Sequence, residues 1–318
     1  MMNSIEELRK KLEDSFAEAF PMYGTRLLIT ARDRKWALTA ARCATGFATS
    51  IIACPAEAGI EKLVSPKSTP DGRPGVYIQI YHRSIPELKV QVLARVGQTV
   101  LTCPTTALFD GLPKVRRRLR IGQSIAKFGD GYEVKDAMYG RTVWRIPVME
   151  GEFIVEDSVG VVSGVAGGNI VILARDLDSG LRAATEAVRA IRRLCPYVIC
   201  PFPGGIVRSG SKVGSNRYPK LPASTNHPYC PTLRGKVPDT KVPPNVNCVY
   251  EIVINGLKEE YVKLAMGVGA IAAAKVNGVI KITSVNFGGK LGRYRIPLLE
   301  SFDYALKWLE ERKLLEKI

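Results

Sequence analysis

Ala53-Cys54-Pro55-Ala56-Glu57-Ala58-Gly59-Ile60 and Ile199-Cys200-Pro201-Phe202-Pro203-Gly204-Gly205-Ile206 repeat one pattern, with Cys, Pro, Gly and Ile coinciding. Each copy follows an amphipathic stretch and a short apolar run, so the match aligns two halves of the chain. Outward from the first copy, residues 25–31 read as a strand, 33–45 as a helix, and 50–54 and 75–82 as strands. Residues 86–96 then read as a helix and 99–103 as a strand. Outward from the second, the series is 169–174 (strand), 178–194 (helix), 197–201 and 249–254 (strands), 258–274 (helix) and 280–285 (strand). Each half is then β-α-β-β-α-β, the split βαβ arrangement, with an antiparallel sheet and two helices on one face. The expected fold is α+β: two duplicated ferredoxin-like lobes, residues 1–147 and 148–318, with long inserted loops and a C-terminal helix.

Local signals agree with this series. Asp33 and Asp178 are expected N-caps, Pro86 fits a first turn, and Glu259 and Glu260 suit a helix start where the dipole favours acids. Ser4-Ile5-Glu6-Glu7 reads as a capping box, with Ile5, Leu8, Leu12 and Phe16 at helical spacing behind it. Residues 104–167 and 202–248 exceed ordinary connections, and segments of that size usually carry function or interfaces. Phe302, Ala305, Leu306 and Leu309 predict a helix over 298–318 that docks on the body or a neighbouring subunit.

Composition narrows the functional classes. The chain has 318 residues, 46% of them hydrophobic. No uncharged apolar run nears the roughly 18 residues of a membrane span, and the N-terminus has no secretory pattern. A soluble cytoplasmic protein is expected. The seven cysteines show no two-residue spacing, and only His82 and His227 are present, so neither a disulfide framework nor a metal centre is expected.

The formal net charge of +16 favours anionic partners. Residues 208–241 hold seven Lys/Arg and one acid, Asp239, in a stretch rich in Gly, Pro, Ser and Asn. Flexible backbone beside cations is a common anion cradle. The run Lys114 to Arg120 reads as a solvated surface. Nucleic acid is disfavoured, because residues 76–80 and 249–254 are largely aliphatic where an RNA-binding sheet exposes aromatics.

Two loops carry the chemistry. Pro201 to Ser215 includes Gly204, Gly205, Ser209, Gly210, Ser211, Lys212 and Gly214. Asn286-Phe287-Gly288-Gly289-Lys290-Leu291-Gly292-Arg293 echoes it as a strand end, paired glycines, a lysine, an apolar residue and a glycine. Either these are tight turns with solvated lysines, or they bind anions and amides through backbone and lysine. The recurrence favours the second reading, and neither matches a Walker P-loop. Glu251 alternates with Val249 and Val253 on one strand face. A wet face makes it an ordinary surface acid. A covered face raises its pKa, leaving a neutral acid able to donate to an oxyanion.

Many ordered stretches resemble one family. They are Asp14-Ser15-Phe16-Ala17-Glu18-Ala19-Phe20-Pro21, residues 54–61, Thr69-Pro70-Asp71-Gly72-Arg73-Pro74-Gly75 and Thr102-Cys103-Pro104-Thr105. Phe128-Gly129-Asp130-Gly131-Tyr132, Ile146-Pro147-Val148-Met149 and residues 164–169, 201–215, 230–233, 250–254 and 288–292 continue the series. On these the chain resembles formylmethanofuran:tetrahydromethanopterin formyltransferases over about 285 residues.

The resemblance implies an acyltransferase of one-carbon metabolism and methanogenesis. It would move a formyl group between N-formylmethanofuran and N5 of tetrahydromethanopterin in a ternary complex. These polycarboxylate carriers would act as substrates, with no bound cofactor and no metal. It also implies ferredoxin-like lobes and a homo-oligomer, dimer or tetramer. The site set expected on this basis is catalytic Glu251, with Gly204, Gly205, Ser209, Ser211, Lys212, Asn226, His227, Gly288, Gly289 and Lys290 binding substrate. Pro297 and Leu299 stand where the family's histidine and arginine are expected. The Arg208-Ser209-Gly210-Ser211-Lys212 and Leu221–Asn226 wording is similar to the formyltransferase subunit of a formyltransferase/hydrolase complex. The alternative is therefore a catalytically degenerate carrier-binding or docking subunit of such a complex.

Overall fold

The structure, a computed structural model, describes residues 2–318, with side chains described from Ile5 onward, Lys317 excepted. It is a mixed α/β protein of two compact units, one of Met22–Gly164 and one of Met1–Pro21 with Val165–Ile318. The chain opens on α1 (Met2–Lys10) and then runs as β1 (Phe16–Thr30). The predicted capping box rests on Ser4, whose side chain lies outside the described residues. The helix ends at Lys10, so Leu12 forms a bridge to Ile282 and Phe16 opens a strand.

In the unit of Met22–Gly164, the later part of β1 is followed by α2 (Arg34–Thr45), β2 (Glu57–Val64), β3 (Gly75–His82), α3 (Ile85–Arg95) and β4 (Ala107–Asp110). The strand order is β2-β3-β1-β4, antiparallel at every step. Asp33 caps α2 by accepting from the Trp36 amide, and Ser84 caps α3 by accepting from Glu87. Beyond β4 come β5 (Arg118–Arg120), α4 (Gly122–Ala126) and the meander β6 (Val134–Met138), β7 (Arg141–Val148) and β8 (Gly151–Glu156). Because β8 pairs parallel with β4, the sheet is mixed.

Two predicted strands are absent here. Residues 50–54 form a turn in which Ile51 N–H donates to the Glu57 carboxylate at 3.0 Å, and the strand starts only at Glu57. Residues 99–103 extend the preceding helix as a π-turn, Leu101 N–H donating to Val96 O at 2.9 Å. A short apolar run such as Val100-Leu101 fits a buried helix as well as a strand, and length alone could not arbitrate.

In the other unit the elements are β9 (Ser158–Ala174, from Val165 onward), α5 (Leu177–Leu194) and β10 (Val198–Ile199). The two-residue strands β11 (Lys212–Val213) and β12 (Ala223–Ser224) pair as a hairpin inside the long loop. Then come β13 (Cys248–Gly256), α6 (Glu259–Ala274), β14 (Val279–Thr283), β15 (Tyr294–Pro297) and α7 (Leu298–Glu311). The order β10-β13-β9-β14, again antiparallel, repeats that of the first unit. The α5 cap is Asp176, which accepts from Ser179 N–H at 2.7 Å, rather than the predicted Asp178. That shift exposes a second repeat, Ala31-Arg32-Asp33 and Ala174-Arg175-Asp176, each closing a strand and capping the next helix.

Helices α5 and α6 bury one face of this sheet with Ile170, Ile172, Ile252 and Ile254. The opposite face takes Val171, Leu173, Tyr229, Val242 and Val246, so residues from the 202–248 segment cover it. The last helix is shorter than the predicted 298–318, ending at Glu311. It lies on α6 through Phe302, Ala305 and Leu309. Gly267 permits the approach, since a Cβ there would lie 1.9 Å from the Ser301 carbonyl oxygen. Among the described residues no helix is long and apolar enough to cross a membrane.

Gly267→Ala should therefore push α7 off α6 and destabilise the protein by about 1–3 kcal/mol, the usual cost of overpacking. Urea denaturation followed by tryptophan fluorescence measures this, Trp308 reporting on α7 directly. An unchanged midpoint would contradict the close packing.

Candidate functional site

Glu251 sits in the middle of β13 opposite Val171 of β9, and Val171 in turn lies opposite Thr283 of β14. The edge of β13 is paired by β10 only at Asn255 and Gly256, leaving Glu251's backbone to another partner. Val207 supplies it, donating to Glu251 O at 2.7 Å and accepting from Glu251 N–H at 2.9 Å. The glycine-rich loop is thereby stitched to the strand at the acid itself. The covered-face environment holds: Glu251 is 3% exposed.

Its two oxygens differ. Ser211 Oγ donates to Oε1 at 2.5 Å, while Oε2 is buried with no hydrogen-bond partner among the described residues. Burial pushes the carboxyl above its ordinary range, opposed only in part by Ser211. A small cavity of about 30 Å³ adjoins it, lined in part by Arg208, Ser209, Gly210, Asn226, Tyr229 and Glu251. This is a neutral-acid environment with one free donor or acceptor position.

Gly210 makes the wall possible. Its φ of +74° suits glycine, and a Cβ would meet Asn226 Cβ at 2.3 Å. Asn226 N–H donates to Ser209 O at 3.0 Å, so Ser209, Ser211 and Asn226 are drawn together around Glu251. Lys212 and His227 are brought together next to them, Nζ to Nδ1 at 3.1 Å. Gly204 and Gly205 do not line the cavity. Their positive φ values turn the chain toward Val207, and Gly205 N–H is spent on Phe202 O at 2.7 Å. Gly205 also packs where a Cβ would strike Val188 at 2.8 Å.

The second loop behaves differently from the expectation. Glu18 of β1, 2% exposed, reaches into it and accepts N–H donors from Phe287 and Gly289, both 2.8 Å from Oε2. Leu291 and Gly292 donate to Oε1. Gly288 N–H goes to Asn286 Oδ1 at 3.0 Å. The amides expected to hold a substrate are thus satisfied within the chain, and Gly288 and Gly289 serve to bend the backbone around Glu18. Lys290 remains exposed at the loop tip. Burial would raise the Glu18 carboxyl, but the four amides outweigh it and hold it below the usual range.

Two contributors were missed from sequence. Tyr229 walls the cavity, and burial pushes its hydroxyl up to about 12, so it stays a protonated donor. Glu18 lay inside a quoted motif, yet nothing local in sequence reveals that a carboxylate will meet amides 270 residues away. Of the two positions where the family's histidine and arginine were expected, Pro297 leads into α7 and accepts Ser301 Oγ at 2.7 Å, and the half-buried Leu299 packs on the core.

With this geometry in view, comparison with known proteins is informative. The family described as formylmethanofuran-tetrahydromethanopterin formyltransferase matches residues 5–148, and its proximal lobe matches residues 151–301. The formylmethanofuran–tetrahydromethanopterin formyltransferase of Methanocaldococcus jannaschii is 55% identical over 295 residues, 92% of this chain and 98% of the relative. A solved formyltransferase from Methanosarcina barkeri superposes with a TM-score of 0.89 at 50% identity, covering 92% of this chain and 98% of that one. A chain of the formyltransferase/hydrolase complex from Methylorubrum extorquens, solved with methylofuran, gives 0.87 at 45% identity, with coverages of 92% and 96%.

Glu18→Gln replaces an acceptor of four amides by one with a single acceptor oxygen, and a side-chain NH₂ then faces donors. A loss of about 2 kcal/mol is expected from buried donors left unpaired. Because the folded carboxyl is held low, its stabilisation is present above the ordinary Glu value and disappears as pH falls through the folded value. Wild type and Glu18→Gln should therefore converge in stability in acid; a constant gap across the pH range would remove the cradle's role.

Proposed function

The chain belongs to the formylmethanofuran–tetrahydromethanopterin formyltransferase family, and from that premise we propose how its own residues carry the transfer. The protein moves a formyl group between N-formylmethanofuran and N5 of tetrahydromethanopterin, with both carriers as substrates. We assign Glu251 as the acid that faces the reacting carbonyl.

The pterin N5 attacks the formyl carbon, and the carbonyl electron pair moves onto oxygen to give a tetrahedral oxyanion. Protonated Glu251 donates a hydrogen bond to that oxygen, and Ser211 fixes the carboxyl by bonding its other oxygen. Collapse restores the carbonyl and breaks the bond to the methanofuran nitrogen. The attacking nitrogen loses one proton and the departing nitrogen gains one, so no net acid is consumed. Tyr229 walls the same chamber. Ser209, Asn226 and Lys212 bind and orient the carriers, and the exposed Lys290 of the second loop contributes a further cation for their anionic groups. The observation that carries this reading is a buried, neutral-leaning carboxyl with one oxygen held by a hydroxyl and the other without a partner among the described residues. Preorganised donors aimed at developing charge are typically the largest single contribution to such chemistry.

Finer features follow the same premise. The repeated strand order supports reading the two units as duplicated ferredoxin-like lobes, although they divide between Gly164 and Val165 and not at residues 147 and 148, with the first 21 residues joining the second. We take the protein as cytoplasmic, as a homo-oligomer, and as working without a prosthetic group. A second reading is favoured by the likeness to a chain of the formyltransferase/hydrolase complex. In it, this chain docks in such an assembly, as the working transferase or as a degenerate carrier-binding subunit. Turnover by the purified protein alone distinguishes the two.

Glu251→Gln should lower kcat by about 10²–10³ with the fold retained, the range for loss of one oxyanion donor. In wild type, activity should fall as pH rises through a value above the ordinary carboxylate range, because the neutral acid is then lost. The variant should lack that limb. A spectroscopic assay with both carriers, with and without candidate hydrolase partners, reads both; wild-type turnover in the variant removes Glu251 from the mechanism.

A further inference from the structure

Asp239 is the lone acid among the seven cations of residues 208–241, and it does not pair with any of them directly. It lies instead on His227, Oδ2 to Nε2 at 3.2 Å. The other ring nitrogen, Nδ1, lies 3.1 Å from Lys212 Nζ, which also donates to Asn216 Oδ1 at 3.3 Å. An ammonium can only donate, so Nδ1 must accept. The ring proton is therefore on Nε2, where it donates to Asp239. Both ring nitrogens are committed inside the chain, which leaves His227 no atom for hydrogen bonding a substrate.

The placement is tied to the site. Lys212 follows Ser211, the residue that bonds Glu251, and His227 follows Asn226, which lines the same cavity. In each pair one residue serves the chamber and its neighbour serves the relay. A direct Lys212–Asp239 ion pair would cancel the lysine's charge. A neutral imidazole between them holds the ammonium in place and keeps the carboxylate a ring's width away.

We propose that Asp239 and His227 are positioning residues that hold Lys212 as a charge-bearing arm for an anionic oxygen group, carboxylate or phosphate, of one carrier. This rests on the transferase reading and assigns His227 a role through Lys212 instead of direct binding.

The test combines equilibrium binding of each carrier by calorimetry with steady-state kinetics on Asp239→Ala, Lys212→Met and the double variant. Asp239 is largely exposed, so its truncation should leave thermal unfolding unchanged. The expected result is a Kd and KM raised about tenfold for the same single carrier in both single variants, with kcat changed less than threefold. The double variant should be no worse than Lys212→Met alone, since the two act as one unit. His227→Asn, which retains an acceptor near the Nδ1 position, should recover much of the affinity and make Asp239→Ala silent. Additive effects, unchanged affinity, or a loss of stability with affinity intact would each overturn the relay. Wild-type protein that binds carriers but transfers nothing would instead overturn the transferase reading, while the binding data still judge the relay.

Discussion

The pairing of Val207 with Glu251 is the constraint on which the site depends. β13 is an edge strand over most of its length, and an edge leaves backbone donors and acceptors that must find partners. Val207 closes that edge at one residue, and in doing so lays the loop across the acid it has to cover. Had β10 run on to residue 251, the sheet would be better paired and the carboxyl would have no loop above it. The left-handed turn at Gly210 then carries the chain back over Asn226, a path any side chain at that position would obstruct.

Two carboxylates buried in one unit illustrate how environment divides their roles. Glu18 meets four backbone amides and stays ionised, an internal anion that shapes the 287–292 turn. Glu251 meets only Ser211, through its hydroxyl and its backbone, which is too little to offset desolvation, so its neutral form is favoured. Fully satisfied polar groups rigidify a structure, whereas a group left short of partners is available for chemistry. The glycine-rich stretches looked alike in sequence, yet one encloses a structural anion and the other forms the wall of the cavity beside Glu251.

Legibility followed the range of the interactions. Helix periodicity and Asp caps are local, so α2, α3, α5 and α6 were readable within a residue or two. β3 was read with the bounds observed, because its apolar run ends at turn residues on both sides. Residues 50–54 and 99–103 misled because short apolar runs carry no period, and their conformation is set by Glu57 and by the continuing helix. At the site, the face carrying Glu251 was legible from alternation, but whether anything covered it was a question about a 47-residue connection, residues 202–248, whose path no local rule dictates. The amide cradle was misassigned for the same reason: the loop's donors were visible, their distant acceptor was not.

The repeated strand order adds a last step. In the unit of Met22–Gly164, aligning Ala31-Arg32-Asp33 with Ala174-Arg175-Asp176 sets Tyr77 of β3 at the place of Glu251, opposite Leu28 as Glu251 is opposite Val171. The polar groups there are closed on one another. Arg26 makes a two-point ion pair with Glu61 at 2.7 and 2.8 Å, and its guanidinium lies 3.3 Å from the Tyr77 ring centroid. Gln79 donates to Glu61 at 2.7 Å and accepts from the Tyr81 hydroxyl. A buried pair of this kind contributes little net stability, but breaking it would strand a charge, so it holds the sheet in one arrangement. At this place, then, the unit of Met22–Gly164 has closed its polar groups on one another. At the matching place in the other unit, under the longer 202–248 connection, Glu251 keeps one carboxyl oxygen without a partner among the described residues, so the two faces differ in whether a buried polar group is left open.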